Sequence, residues 1–261
     1  MNNKNKIEQL KQNGYSLDLG DVISQSFENY KKIALNAGIA TLIVSIVLIA
    51  LIFGGIGIFF GFTDLASNMA DFHVSNFSAT TLILYVIGTS LVAAIIYPFT
   101  AGIFKMANEA EMGRATSMST AFDHYKSDSF KNLFLTGLLL GFLTNFLAVL
   151  FQYFHLDIIG TLVTYIVTFF AVFAIPLVIF EKNEPTEAIL NSFALVIKQP
   201  FVILIALIVS AIIAMVGIIG LCIGIFFTLP VIYSTQYILF KNAIGVETKN
   251  EMEEIGMNTD L

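Results

Sequence analysis

The chain has 261 residues, of which 57% are hydrophobic and only 12% are charged, and its formal net charge at pH 7 is −6. Soluble domains average about 25% charged residues, so this composition argues against an ordinary soluble globule. The negative net charge disfavours nucleic acid as a partner, because binding phosphate needs a concentrated basic surface. A single cysteine, Cys222, excludes a disulfide framework within one chain.

Five stretches contain no Asp, Glu, Lys or Arg, and each is long enough for the roughly 20 residues that a membrane-spanning helix needs. They are 33–63, 72–104, 132–156, 158–180 and 199–240. As one helix the last stretch would be about 63 Å long, twice the hydrocarbon thickness of roughly 30 Å. We therefore place a turn at 217–220 and predict an all-α polytopic membrane protein with six transmembrane helices.

The basic residues predict the orientation of these spans. All 13 Lys and Arg residues fall in four segments on one side of a six-span chain: 1–32, 105–131, 181–200 and 241–261. Because cytoplasmic loops carry the excess of Lys and Arg, both termini are expected in the cytoplasm. The expected location is a bacterial cytoplasmic (inner) membrane, with a cytoplasmic segment at 1–32, a membrane domain at 33–240 and an acidic cytoplasmic tail at 241–261.

Each cytoplasmic segment before an odd-numbered span has apolar residues at helical spacing, which predicts a short amphipathic helix in the membrane interface. The candidate interfacial residues are Phe27, Tyr30 and Lys32 in the first segment and Phe193 and Lys198 in the third. The second segment has Met118, Ala121, Phe122 and Tyr125 at comparable positions. We expect the rings of Phe27 and Phe193 to insert toward the acyl chains while the lysines stay at headgroup level.

The same pattern recurs along the chain. Ser26, Phe27 and Lys32 match Ser192, Phe193 and Lys198 at a constant offset of 166 residues. Each even-numbered span contains one proline, which is expected to kink it: Pro98, Pro176 and Pro230. We interpret this as a threefold repeat of an amphipathic helix, an outward span and a kinked returning span. Independent hairpins joined by amphipathic linkers would give a similar pattern.

Three groups of residues form loose motifs that cover most of the chain. They are Asp18-Leu19-Gly20-Asp21 with Phe27 and Tyr30, then Tyr97-Pro98-Phe99 with Ala101-Gly102, and then Pro176-Leu177-Val178-Ile179-Phe180-Glu181 with Glu187-Ala188, Ser192-Phe193 and Lys198. In these residues the chain resembles a family of bacterial six-span membrane domains that occur alone or fused to glycerophosphodiester phosphodiesterases. The family often has Trp where this chain has Phe193. The resemblance implies an integral membrane module of undefined activity, without the fused enzyme.

Few residues in the sequence suggest catalysis or ligand binding. The sequence has no Gly-rich nucleotide loop and no nucleophile motif, and its three histidines lie in separate segments, so we predict no enzyme activity, no cofactor and no metal site. No charged residue lies at mid-depth of a span, where ion-coupled transporters usually carry one. Asn145 in span three is the candidate intramembrane polar site. The pairs Gly137/Gly141 and Gly220/Gly224 have the spacing for close helix packing, within or between chains.

Two functions remain open. The first is a non-enzymatic membrane protein that organises lipid or serves as an accessory subunit, with membrane lipids and either a membrane-protein complex or a second copy of the chain as partners. The alternative is a carrier or channel for a lipid or small uncharged molecule, with the proline-kinked spans as a gate. A closed apolar core would favour the first function, and a polar cavity around Asn145 would favour the second.

Overall fold

The computed structural model describes residues 3–60, 78–219 and 223–246, and within these ranges the chain is helical with no strand. The α-helices in chain order are α1 (Asn3–Asn13), α2 (Leu19–Phe60), α3 (Ala79–Glu111), α4 (Phe130–Tyr153), α5 (Asp157–Phe170), α6 (Ala174–Phe180), α7 (Pro185–Val196), α8 (Pro200–Met215), α9 (Gly224–Thr228) and α10 (Pro230–Ile244). Short 3-10 helices cover Met118–Tyr125 and Val216–Ile219.

Five helical segments are long and apolar enough to cross a membrane. They are Leu19–Leu51, Ala79–Glu111, Phe130–Tyr153, Asp157–Phe180 and Pro200–Ile219. They overlap the first five predicted spans, so the prediction of a helical, multi-pass membrane protein is confirmed. The predicted turn at 217–220 overlaps the second 3-10 helix, while Gly220, Cys222 and the tail from residue 247 lie outside the described ranges.

Lysines from three helices mark one end of the helix bundle. Lys32 and Lys241 contact the end of α3 through Ala110 and Glu111, and Lys105 pairs with Asp123 just beyond it. We call this the basic end, and we call the opposite end, where α4 turns into α5, the distal end. The bundle thus has a basic half and a distal half.

Helix α2 is a single helix of 42 residues, so the predicted amphipathic helix and the first span are not separate elements. Most of its buried residues form one stripe at spacings of three or four: Val22, Ser26, Asn29, Ile33, Ala37 and Ala40. Because this stripe keeps the same helical phase on both sides of residue 32, one straight helix can bury all of it. For this segment the prediction of a distinct interfacial helix is corrected.

The other two segments predicted as interfacial helices pack against the bundle. Met118–Tyr125 is a 3-10 helix that contacts α3 where Gly102 leaves room, since a Cβ at Gly102 would lie 2.1 Å from the carbonyl oxygen of Ala121. Helix α7 is discrete, as predicted, and buries Ala188 and Leu195 completely. Both segments therefore bury apolar residues in the protein itself.

The chain's first helix completes this layer at the basic end. In α1 the side chain of Ile7 is only 2% exposed, and Leu10 packs against the same core. The Nζ of Lys6 donates to the carbonyl of Gly245 at 3.1 Å, and the hydroxyl of Tyr15 donates to the carbonyl of Leu195 at 2.9 Å. The two ends of the described chain therefore meet at the basic end.

Candidate functional site

The fourth predicted span is broken in its middle. Helix α5 ends at Phe170 and α6 begins at Ala174, with turn residues between them. Pro176 explains the position, because a proline lacks the N–H and its ring clashes with the carbonyl four residues earlier, here that of Val172. The backbone groups next to the break need other partners, since an unsatisfied group inside a membrane protein is costly.

Ser192 on α7 supplies those partners. Its Oγ accepts from the backbone N–H of Phe173 at 2.9 Å and donates to the carbonyl of Phe170 at 2.7 Å. The ring of Phe193 stacks on that of Phe170 with 5.5 Å between the centroids. Helix α7 therefore holds both sides of the break.

A recess of about 260 Å³ lies beside this break, between α3, α4, α5, α6 and α10. It is lined by Ala93, Tyr97, Leu140, Gly141, Thr144, Thr168, Ala171, Val172, Ile175 and Gln236. Thr168 at its edge is exposed, so the recess opens sideways from the bundle rather than forming an enclosed chamber. None of these lining residues carries a charge.

The polar groups of the recess differ in their hydrogen bonding. Thr144 donates to the carbonyl of Leu140 at 2.8 Å, and Thr168 donates to that of Thr164 at 2.9 Å, so both hydroxyls are satisfied by their own helices. The hydroxyl of Tyr97 and the amide of Gln236 have no hydrogen-bond partner within the described part of the chain. These two groups can therefore serve a bound molecule.

Glycine on α4 creates the space for the Tyr97 ring. A Cβ at Gly137 would lie 2.7 Å from Cγ of Tyr97 and 2.9 Å from the Cα of Ala94, and one at Gly141 would lie 2.9 Å from the Cβ of Ala93. The predicted close packing at this pair is thus confirmed as a contact between α3 and α4 of the same chain.

Between the recess and the lysines of the basic end, a largely buried network joins α2, α3 and α10; we call it the polar layer. Its members are Asn29, Asn108, Glu111, Ser234, Tyr237 and Lys241. The Nδ2 of Asn29 donates to the carbonyl of Ala107 at 2.7 Å and to Glu111 at 3.1 Å, while its Oδ1 accepts from Ser234 at 2.9 Å. Asn29 is 0% exposed, and its contacts with Ala107 and Ser234 are buried, whereas the contact with Glu111 is partly buried.

The remaining members connect further helix ends. The hydroxyl of Tyr237 donates to Asn108 at 2.8 Å, and Lys241 forms an ion pair with Glu111. A polar group removed from water is costly unless it is hydrogen-bonded, and each of these groups has a partner. The polar layer therefore specifies how α2, α3 and α10 meet.

The predicted interfacial residues do not come together as one site. Phe27 is 44% exposed on the outer face of α2, with the Nζ of Lys31 5.5 Å from its ring centroid and the ring of Tyr30 at 5.9 Å. Lys32 donates to the carbonyl of Ala110 at 3.3 Å, and Lys198 is exposed beyond α7. Insertion of these rings into lipid stays a prediction.

Asn145 and the three prolines predicted to kink their spans do not line the recess. Asn145 is half-buried, and its Nδ2 donates to the carbonyl of Gly141 in its own helix at 2.8 Å. Pro98 lies within an uninterrupted α3, whereas Pro176 and Pro230 follow helix breaks at 171–173 and at Leu229. A kink at Pro98 stays a prediction.

Sequence reasoning missed Gln236 and all six residues of the polar layer. For Gln236 a signal was present, because it is an amide inside a stretch of 42 residues without charge, where polar groups usually mark contacts or binding sites. For Asn29 the signal was its place on the stripe that α2 buries. Its neighbours Glu28 and Lys31 instead indicate a solvent-facing helix.

Comparison of the chain with protein families, with curated proteins and with solved structures finds no match in any of the three. The assignment to a family therefore rests on the motifs alone and stays a proposal.

Proposed function

We propose that the chain is a six-span protein of the bacterial inner membrane with both termini in the cytoplasm, related to the bacterial six-span domains that its motifs resemble. Contact between Lys6 and Gly245 supports this, because two ends on one side require an even number of crossings. Helices α9 and α10 supply the sixth span: residues 224–244 would reach about 31 Å at 1.5 Å per residue. The lysines at the basic end support the orientation.

Reporter fusions test this topology. Reporters at 115, 190 and after 246 should be cytoplasmic, and reporters at 156 and 218 should be external. A cytoplasmic reporter at 218 would remove the sixth span, and external reporters at 115 and 190 would reverse the orientation.

Within that membrane, the protein binds a lipid or small uncharged molecule in the recess and acts as its carrier, without catalysing a reaction. The observation that carries this proposal is a recess of about 260 Å³ at a broken span, lined by uncharged residues and open at its side. Ligand sites lie typically between helices of bundles and begin at about 300 Å³, close to this size. The segments predicted from sequence to be interfacial helices instead bury Val22, Ala121 and Leu195 in the protein.

Native mass spectrometry of the purified protein tests the proposal. The wild type should retain a lipid or small molecule in mild detergent, and Ala171→Phe should lose it because the new ring fills the recess. Leu162→Phe is the matched control, since Leu162 lies on α5 and is 55% exposed on the bundle's outer face. Equal retention by all three proteins would contradict the proposal.

The same preparation addresses the accessory-subunit hypothesis. A protein that co-purifies in stoichiometric amount, combined with a recess that retains no molecule, would favour an accessory role over a carrier.

A further inference from the structure

We propose that Tyr97 and Gln236 recognise the head of an uncharged lipid bearing a free hydroxyl group, of the diacylglycerol type. This deepens the proposed function, because it assigns a ligand class to the same recess. Among the polar residues that line the recess, these two have no protein partner in the described ranges, whereas Thr144 and Thr168 are bonded to their own helices. A tyrosine hydroxyl and a glutamine amide together donate and accept, as a hydroxyl or ester head requires.

The walls of the recess exclude a charged head. Its lining contains no Asp, Glu, Lys, Arg or His to neutralise an ionised group. An unpaired charge at this depth carries a large desolvation cost. A phosphate or carboxylate head would therefore be held out of the recess, while a neutral head can enter it.

The depth of Tyr97 and Gln236 in the bundle supports the same class of ligand. Gln236 precedes Lys241 by five residues and Tyr97 precedes Lys105 by eight, so the pair lies about 8 to 12 Å along the helices below the basic residues at 1.5 Å per residue. A phospholipid would place its phosphate near those lysines, above the pair. A diacylglycerol, which lacks the phosphate, can sink until its hydroxyl reaches Tyr97 and Gln236.

The shape of the recess fits a lipid that enters from the side. Leu140, Val172 and Ile175 form apolar walls that suit an acyl chain, and the exposed edge at Thr168 lies on the lipid-facing surface of α5. The polar pair is contributed by α3 and α10. A lipid can therefore enter through the open edge at Thr168 and place its head beside Tyr97 and Gln236.

Equilibrium binding of radiolabelled 1,2-dioctanoylglycerol to the full chain in detergent micelles tests this assignment. Tyr97→Phe and Gln236→Leu should each weaken binding roughly three- to tenfold, as expected for the loss of one hydrogen bond. Thr144→Val and Thr168→Val are matched controls that line the same recess, and they should stay within about twofold of wild type, because their hydroxyls already have helix partners. Dioctanoyl phosphatidic acid, with the same tails and a charged head, should bind at least about tenfold more weakly than the diacylglycerol.

Each outcome decides the assignment. Equal binding of the two lipids, wild-type affinity in both Tyr97→Phe and Gln236→Leu, or a recess that takes up only water and neither lipid would overturn it. If those results occur while Ala171→Phe still releases a retained molecule, the proposed function stands with a different ligand. If Ala171→Phe releases nothing, the carrier function itself fails.

Discussion

The basic half and the distal half of the bundle use polar side chains in different ways. At the basic end Asn29, Ser234 and Tyr237 bond to other helices, and Ser192 bridges a helix break. In the distal half the side chains of Thr144, Asn145, Thr161, Thr164 and Thr168 bond to carbonyls of their own helices. One distal contact crosses between helices, from Thr228 to the carbonyl of Ala214 at 2.6 Å.

The burial of residues along α2 also differs between the basic half and the distal half. Helix α2 buries a stripe down to Thr41, but none of its residues from 42 to 51 is buried. Bonds within a helix stabilise that helix without fixing its neighbours, whereas bonds between helices fix relative position. Side-chain bonds therefore fix the relative position of the helices mainly at the basic end.

The largest expected effect is at the contact between α3 and the first 3-10 helix. Gly102→Ala should destabilise the protein by about 3 kcal/mol or more, because its Cβ would lie 2.1 Å from the backbone oxygen of Ala121. Gly88→Ala, in the same helix but with no atom within 4 Å of the new Cβ, should be neutral or stabilise by up to about 1 kcal/mol. Reversible unfolding in SDS measures both, and equal effects would contradict the close contact.

The second-largest loss of stability is expected in the polar layer. Asn29→Leu should cost about 1–3 kcal/mol, since it leaves the buried Ser234 and the partly buried Glu111 without one of their partners. Asn145→Leu removes only a bond within α4 and should cost less than about 0.5 kcal/mol. The same unfolding assay compares them, and a larger loss for Asn145→Leu would reverse the comparison.

A third pair compares two serines that the predicted repeat makes equivalent. Ser192→Ala should cost about 1–2 kcal/mol, because it leaves the N–H of Phe173 and the carbonyl of Phe170 without their partner. Ser26 donates to the carbonyl of Val22 in its own helix, so Ser26→Ala should change stability by less than about 0.5 kcal/mol. Equal losses would indicate equivalent roles and so support the repeat.

The smallest expected effect depends on pH. Burial, aided by Lys105 and Lys182 and opposed by Asp123, lowers the pKa of His124 from 6.5 to about 4. Because the folded state holds this ring neutral while the unfolded state takes up a proton, stability should fall as the pH drops from 6.5 to about 4 and stay level above 6.5. The ring is half-buried, so the loss should be roughly 1 kcal/mol.

Unfolding of His124→Gln at pH 7 and pH 4.5 checks this prediction. The variant should lose that part of the pH dependence, while His155→Asn, in the distal turn between α4 and α5, should keep it. Identical pH profiles in all three proteins would show that His124 does not titrate as expected.

The spans could be predicted from sequence because a stretch of about 20 apolar residues has few alternatives to a membrane helix. Their termini were less predictable. At residue 32 the change from polar to apolar composition marks a change of environment, yet the helix continues because the stripe through Asn29 and Ile33 stays in phase. The composition of a segment indicates whether it lies in water or in lipid, whereas the helical phase of its buried residues decides whether the helix continues.

The binding groups and the polar layer depend on partners that are distant in sequence. Asn29 bonds to Ala107 and Ser234, which are 78 and 205 residues away. Tyr97 and Gln236, which are 139 residues apart, line the same recess beside the broken span. The central position of Asn145 in span three made it the candidate intramembrane polar site, but its amide already donates to the carbonyl of Gly141. Local sequence patterns predict individual helices. Predicting the recess and the polar layer also requires knowing which helices are neighbours.

The contact between Lys6 and Gly245 has a consequence for chain connectivity. Because the Nζ of Lys6 lies 3.1 Å from the carbonyl oxygen of Gly245, the described ends are close, and residues 247–261 and 1–2 are long enough to serve as the linker of a circular permutant, with no residues added. New ends between Arg114 and Ala115, in an exposed segment at the basic end, would leave every proposed crossing intact. Such a permutant should insert and fold like the wild type, although its first span in chain order would then be α4 instead of α2.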